Sequence, residues 1–262
     1  MSSTIGLIGG MSWESTATYY REINELTRQR HGGLVSAEIL MHSVNFKTIV
    51  DFQRAGRWDL ATERLSAIGR KLTTAGAGCI LICTNTMHLV ADDVARRISA
   101  PLINIIDVTG AALEAAGARR PLLLATRYTM EQGFYLKRLS ENSNLTALTP
   151  GADDRGVLHS VIFDELCQGI VKAESRRRFI DIIARGRDAG ADSVILGCTE
   201  IGLLITANDT DLPMFDSTKI HAEAAVNFAD ALPCPALHCV VQDAETDGGR
   251  PRAKGAARAA VN

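Results

Sequence analysis

The sequence predicts an α/β protein built as two similar halves, each a parallel sheet flanked by helices, with one cleft between them. Two observations carry this prediction. Short apolar runs alternate with longer stretches of helical periodicity along the 262 residues, the rhythm of parallel strands joined by crossover helices. One strand also occurs twice: Ala75, Gly76 and Ala77 lead into GCILICTNT, and Ala189, Gly190 and Ala191 lead into DSVILGCTE, without a gap.

The first strand is expected at Ile5 to Ile8, followed by a helix that begins after Ser12 and closes at Gly32 and Gly33. Ala37 to Met41 reads as the next strand. Ala61, Leu65, Ile68 and Leu72 recur at the spacing of one helix face, and Gly76 ends that helix just before the strand Cys79 to Ile82. Met87, Val90, Val94 and Ile98 form a second stripe of the same kind, ahead of a strand at Leu102 to Ile105. The segment Asp107 to Val108 reads as the crossing into the second half, whose strands are Leu122 to Leu124 and Ser193 to Leu196, the latter entered through Gly190. LIGGMS at Leu7 to Ser12 resembles LLATRY at Leu123 to Tyr128, so a second pair of strands repeats in order. Met214 to Phe215, with the helix after Asp216, is expected to return to the first half. The halves are then 1–107 plus 211–232, and 108–210, and the Gly-, Pro- and Arg-rich stretch 241–262 is expected to be a mobile tail.

Composition narrows the function classes. A formal net charge of -2 gives no field for nucleic acid, and the short run Arg176, Arg177, Arg178 reads as a solvated helix face. The chain shows neither an apolar stretch of bilayer length nor a secretory leader, so no membrane is expected and a cytoplasmic location is. Its six cysteines lack the density of a disulfide scaffold and read as free thiols. Cys79, Cys83 and His88 lack a second ligand pair at zinc spacing, so no metal is expected. GLIGG lacks the spacing of a dinucleotide fingerprint, and Gly9 and Gly10 read as a tight turn.

Ligands of open parallel sheets bind beyond the carboxyl ends of the strands, so a duplicated unit would aim both repeated turns at one cleft. The register of the repeat sets Thr84 opposite Cys198, and Cys83 opposite Gly197. Inverting a stereocentre requires removing a proton from one face and returning one to the other, and a pseudo-symmetric cleft supplies such a pair. A desolvated thiolate is a competent base; the bland reading of Cys198 is a small buried residue at a strand terminus.

The strings CTNTMH at Cys83 to His88 and GCTEIG at Gly197 to Gly202, with GLIGGMSWEST near the start and TRYTMEQGFY from Thr126, resemble the aspartate/glutamate racemase superfamily. The likeness runs from about Ile5 to about Ala231 and is strongest to bacterial aspartate/glutamate-specific amino-acid racemases. It implies two pseudo-symmetric Rossmann-like α/β/α domains around an interdomain site, a cofactor-free two-base mechanism on an amino-acid substrate, and a homodimer. Most members carry two cysteines, the first directly before an Asn-Thr pair. Here Asn85 and Thr86 follow Thr84 instead, with Cys83 one place earlier. The resemblance therefore assigns Cys198 to the L enantiomer and Thr84 to the opposite face, with Cys83 as the rival first base.

Backbone amides at Gly9 to Met11 and at Asn85 and Thr86, with the hydroxyls of Thr126 and Thr199, are candidates for holding the α-carboxylate. By resemblance Met11, Gln53 and Glu165 also line the site. The lysine that aspartate racemases carry near Cys167 is absent, and Arg127, Arg54 or Lys47 would have to replace it. His88 either orients a neighbour or packs. The competing readings are a sister activity on the same cleft, such as a hydantoin racemase, maleate isomerase or decarboxylase, and a non-catalytic small-molecule binder.

Overall fold

The structure is a computed structural model and describes residues 3–231. The first half contains β1 (Ile5–Gly9), α1 (Trp13–His31), β2 (Ile39–Ser43), α2 (Phe46–Arg54), α3 (Trp58–Thr74), β3 (Cys79–Ile82) and α4 (Ala91–Ala95). After α5 (Ile105–Ala115) come β4 (Pro121–Leu124), α6 (Arg127–Glu131), α7 (Phe134–Asn142), α8 (Ala152–Asp164), α9 (Ala173–Asp188), β5 (Ser193–Leu196), β6 (Met214–Asp216) and α10 (Ser217–Ala231). All pairings among the described residues are parallel, in two three-stranded sheets ordered β2-β1-β3 and β4-β5-β6.

Hydrogen-bond register bears out the internal repeat. Ile5 sits opposite Cys79 and Leu7 opposite Leu81, as Pro121 sits opposite Ser193 and Leu123 opposite Ile195. The match extends to the sheet edges, where a bridge from Leu102 to Ile80 flanks β3 as β6 flanks β5, and one from Leu148 to Leu122 flanks β4 as β2 flanks β1. Gly76 and Gly190, which end α3 and α9 before the repeated strands, have φ of +102° and +92°, values open to glycine and strained for other residues.

Alternation along the strands divides the first core in two. Ile80 and Ile82 pack with the α3 stripe Ala61, Leu65, Ile68 and Leu72, whereas Cys79, Leu81 and Cys83 pack on the other face with Tyr19, Ile23 and the α10 residues Ala222, Ala225 and Val226. The second half has one large core around β4 and β5, into which α5 sends Ile105, Ile106 and Leu113.

Three expectations are corrected in detail. The strand at Met214 does not return to the first half: it hydrogen-bonds to β5, with Val194 opposite Met214, and only α10 crosses back to pack on α1. The stripe from Met87 to Ile98 is broken, a 3-10 turn over Thr86–Val90 preceding the short α4. Leu102 to Ile105 makes one bridge before α5 begins, because Asn104 accepts the Ile106 N–H and caps that helix. The stretch 241–262 lies outside the described residues.

Candidate active site

Strands β1, β3, β4 and β5 end at one cavity, walled by the turns that follow them. Met11 comes from the turn after β1, Thr84, Asn85 and Thr86 from that after β3, Thr126 from that after β4, and Cys198, Thr199 and Glu200 from that after β5. Phe46 and Gln53 of α2, and Ile162, Phe163 and Cys167 at the end of α8 and beyond, close it from the sides. Phe46 and Phe163 stack across the cleft at 6.4 Å. The free volume at the centre is about 20 Å³, room for roughly one water molecule.

The repeat fixes which residues reach the cavity. The Cys83 N–H donates to the Ile8 carbonyl at 3.0 Å, and the equivalent Gly197 N–H donates to Leu124 at 2.7 Å. The next residue in each turn, Thr84 or Cys198, borders the cavity. Cys83 belongs to the core behind it, where burial pushes its thiol pKa far up.

Glu200 organises the Cys198 side. The Cys198 thiol donates to Glu200 Oε2 at 2.9 Å, the Thr199 hydroxyl donates to the same oxygen at 2.6 Å, and Ser12, from the first half, donates to Oε1 at 2.6 Å. Cys167 lies 3.7 Å from Oε1. Burial above all, then the Glu200 charge, raises the Cys198 thiol well above its ordinary value, and the same two causes act on Cys167. The thiol therefore rests protonated, with a carboxylate in place to accept its proton.

The Thr84 side is built differently. Its hydroxyl makes no hydrogen bond among the described residues, while its carbonyl accepts from His88 Nδ1 at 2.8 Å. The Ile105 N–H donates to His88 Nε2 at 3.2 Å, so the ring is held as the neutral Nδ1–H tautomer, and burial lowers its pKa to about 4. His88 is thereby tied to the backbone that presents Thr84.

Two residues of the cavity wall carry a buried amide oxygen with no hydrogen-bond partner among the described residues, Asn85 Oδ1 and Gln53 Oε1. Their amide nitrogens are engaged, by Ser217 Oγ at 3.1 Å and Met87 Sδ at 3.3 Å. Thr86, Thr126 and Thr129 form a triangle of hydroxyls 3.0–3.1 Å apart that joins the halves. No lysine, arginine or histidine borders the cavity among the described residues, and none of them form a group of three or more His, Cys, Asp or Glu side chains able to hold a metal ion.

Of the residues singled out in the sequence, Thr84, Cys198, Met11, Gln53, Asn85, Thr86, Thr126 and Thr199 meet at this cavity. Glu165 does not: its carboxylate is bound by Ser175 at 2.6 Å and Lys172 at 3.2 Å, because the chain turns away after α8. Gly9 and Gly10 serve packing, since a Cβ on Gly9 would collide with Thr16 and one on Gly10 with the Val44 backbone. Glu200, Cys167, Phe46, Ile162 and Phe163 were not anticipated. For Glu200 the signal was present, because the repeat sets it opposite Thr86, a polar residue already assigned to the site.

The profile of the Asp/Glu/Hydantoin racemase family matches residues 8–225, which hold both repeated strands and every residue of the cavity. The chain belongs to this family. A Yersinia pestis protein solved as a candidate Asp/Glu racemase is 45% identical, with a TM-score of 0.81 over 87% of this chain and 99% of that one. An aspartate racemase homologue from Pyrococcus horikoshii is 34% identical, with a TM-score of 0.77 over 87% and 99% of the two chains. A Bacillus subtilis broad-specificity amino-acid racemase, RacX, is 18% identical over 85% of this chain and 96% of its own. The two-sheet architecture with its shared cavity is thus the racemase fold. No helix of the described residues is long and apolar enough to cross a membrane.

Proposed function

We propose that this racemase-family chain interconverts the enantiomers of an acidic amino acid, aspartate or glutamate, by a cofactor-free proton transfer between Cys198 and Thr84. The observation that carries the reading is the placement of these two residues at equivalent strand ends bordering one cavity, with Glu200 2.9 Å from the thiol. Glu200 accepts the thiol proton, and the resulting thiolate removes the α-proton of the L enantiomer. The Thr84 hydroxyl gives a proton to the opposite face and regains one, relayed by water, from the protonated Glu200, so that thiol, hydroxyl and carboxylate are all restored. The reverse reaction runs the same steps backwards.

The remaining polar groups suit a zwitterion. A buried acceptor without a partner costs about 1–3 kcal/mol, and an α-ammonium placed against Asn85 Oδ1 and Gln53 Oε1 relieves two of them. The hydroxyls of Thr86 and Thr126 are the donors for the α-carboxylate, which gains charge as the proton leaves, while the Thr199 hydroxyl is committed to Glu200. Exchange of the α-proton in deuterated water, followed by NMR for L- and D-aspartate and glutamate, tests the proposal. Loss of exchange from the L enantiomers in Cys198→Ala and from the D enantiomers in Thr84→Ala supports it, and absence of exchange with all four substrates overturns it. The lack of a cation at the cavity wall among the described residues favours a second reading, in which neutral amino acids are the substrates, and the same assay with L- and D-alanine and glutamine decides between them.

A further inference from the structure

Next to the catalytic cavity is a second chamber of about 170 Å³. Gln53 and Phe163 border both spaces and form the partition between them. Arg54, the last residue of α2, lines the chamber from the first half, and Tyr128, His159 and Asp164 line it from the second. The His159 ring is held between Tyr128 at 5.9 Å and Phe163 at 4.7 Å. Its Nδ1 faces the Arg127 N–H at 3.4 Å, which leaves Nε2 as the nitrogen carrying the proton.

The proposed substrates carry a second carboxylate, and the catalytic cavity gives it no counter-ion. Its wall holds the buried Glu200 carboxylate and no cation among the described residues, so an acid confined there would be desolvated and repelled. Lys47 is bound to Asp51 at 2.8 Å, and Arg127 reaches towards Glu131 at 4.0 Å. Arg54, an exposed residue, forms no ion pair among the described residues and lies on the far side of Gln53 and Phe163 from the catalytic cavity.

We propose that this chamber receives the side-chain carboxylate of the substrate, with Arg54 as its counter-ion and His159 as a second donor, and so selects acidic amino acids. The inference rests on the racemase reading and names the group that sets its substrate class. An extended glutamate side chain passes Gln53 and Phe163 to reach Arg54; aspartate, one methylene shorter, reaches it less fully. Asp164 tempers the positive field of the chamber.

The test compares wild type with Arg54→Gln, Arg54→Lys and Asp164→Asn, using α-proton exchange on L-glutamate, L-aspartate and L-glutamine, and calorimetric binding of glutarate and butyrate. In Arg54→Gln the kcat/KM for glutamate should fall by about tenfold or more, the loss of one charge-assisted hydrogen bond, with a smaller fall for aspartate and none for glutamine. Arg54→Lys should recover part of the loss, Asp164→Asn should lower KM for both acids, and glutarate but not butyrate should bind more weakly to Arg54→Gln. Unchanged exchange of the acids in Arg54→Gln overturns the inference while the racemase reading stands, and an equal loss on glutamine overturns it by showing a structural role. If wild type exchanges no amino acid, the racemase reading fails, and glutarate binding judges the chamber alone: equal affinity in wild type and Arg54→Gln overturns the assignment, weaker affinity in the variant supports it.

Discussion

The Cys198 thiol donates a 2.9 Å hydrogen bond to Oε2 of Glu200, two residues further along the same turn. Glu200 is 3% exposed, and Ser12 of the other half holds its second oxygen. The carboxylate acts on the thiol in two opposed ways. Its charge raises the thiol pKa, and its lone pair is the place to which the thiol proton can go. Glu200→Gln separates these effects. The thiol should titrate at lower pH, read as the pH profile of alkylation by iodoacetamide, while exchange from L substrate falls about a hundredfold or more as the proton acceptor disappears. A variant with full activity would remove Glu200 from the mechanism.

Thr84 and Cys83 are neighbours with different surroundings. Cys83→Ala should keep exchange activity and lose only some stability, since the side chain packs against Tyr19 and Ala222 in the core. Thr84→Ala should abolish return of the proton to the opposite face. Thr84→Cys should raise kcat in both directions by putting a more acidic group at that position, while the ratio of the two kcat/KM values stays at one, the equilibrium constant between enantiomers. Loss of exchange from D substrate in Cys83→Ala with its retention in Thr84→Ala would reverse the assignment.

The fold was legible because a duplication writes its register into the sequence. The same offset that aligns GCILICTNT with DSVILGCTE places Thr84 and Cys198 at matching strand ends, and the sheet pairings obey it. Glu200 was harder to see, since its partner in the repeat is the neutral Thr86; the halves keep a common backbone and differ in charge at this point of the turn. Glu165 misled because its role depends on how the chain leaves α8, where a 3-10 turn directs the carboxylate towards Ser175 and Lys172. The chamber at Arg54 arises only when α2 and α8 meet across the cleft, so no local pattern announces it.

Two buried histidines predict the acid side of the stability curve. Burial lowers His88 to about 4 and His221 to about 3, from an ordinary value of 6.5. Unfolding restores the ordinary value, so the unfolded chain binds more protons below pH 6.5. Stability is therefore full above about pH 6.5 and is lost as pH falls towards 4 for His88 and towards 3 for His221. For His88 alone the loss approaches about 3 kcal/mol. His88→Asn keeps a donor for the Thr84 carbonyl and removes the titration. Urea unfolding at pH 7, 6 and 5 should show a shallower fall in this variant than in wild type. Identical slopes would mean that His88 does not set the acid limb.

Gly10 offers a test of the turn that carries Met11 and Ser12. Its φ is +86°, its N–H donates to Thr16 Oγ1 at 2.7 Å, and a Cβ would run into the Val44 backbone, which cannot yield as a flexible side chain can. Gly33 is a control, because its φ of +58° is also left-handed but a Cβ there meets nothing within 4 Å. Gly33→Ala should cost about 1 kcal/mol, the conformational penalty alone. Gly10→Ala adds backbone collision to that penalty and should cost about 2–4 kcal/mol. It should also depress exchange, since moving the turn carries Ser12 away from Glu200 and loosens the carboxylate that faces the thiol. Equal losses in the two variants, measured by urea unfolding at pH 7, would show that the contact with Val44 adds nothing and that the turn tolerates a side chain as well as the exposed one does.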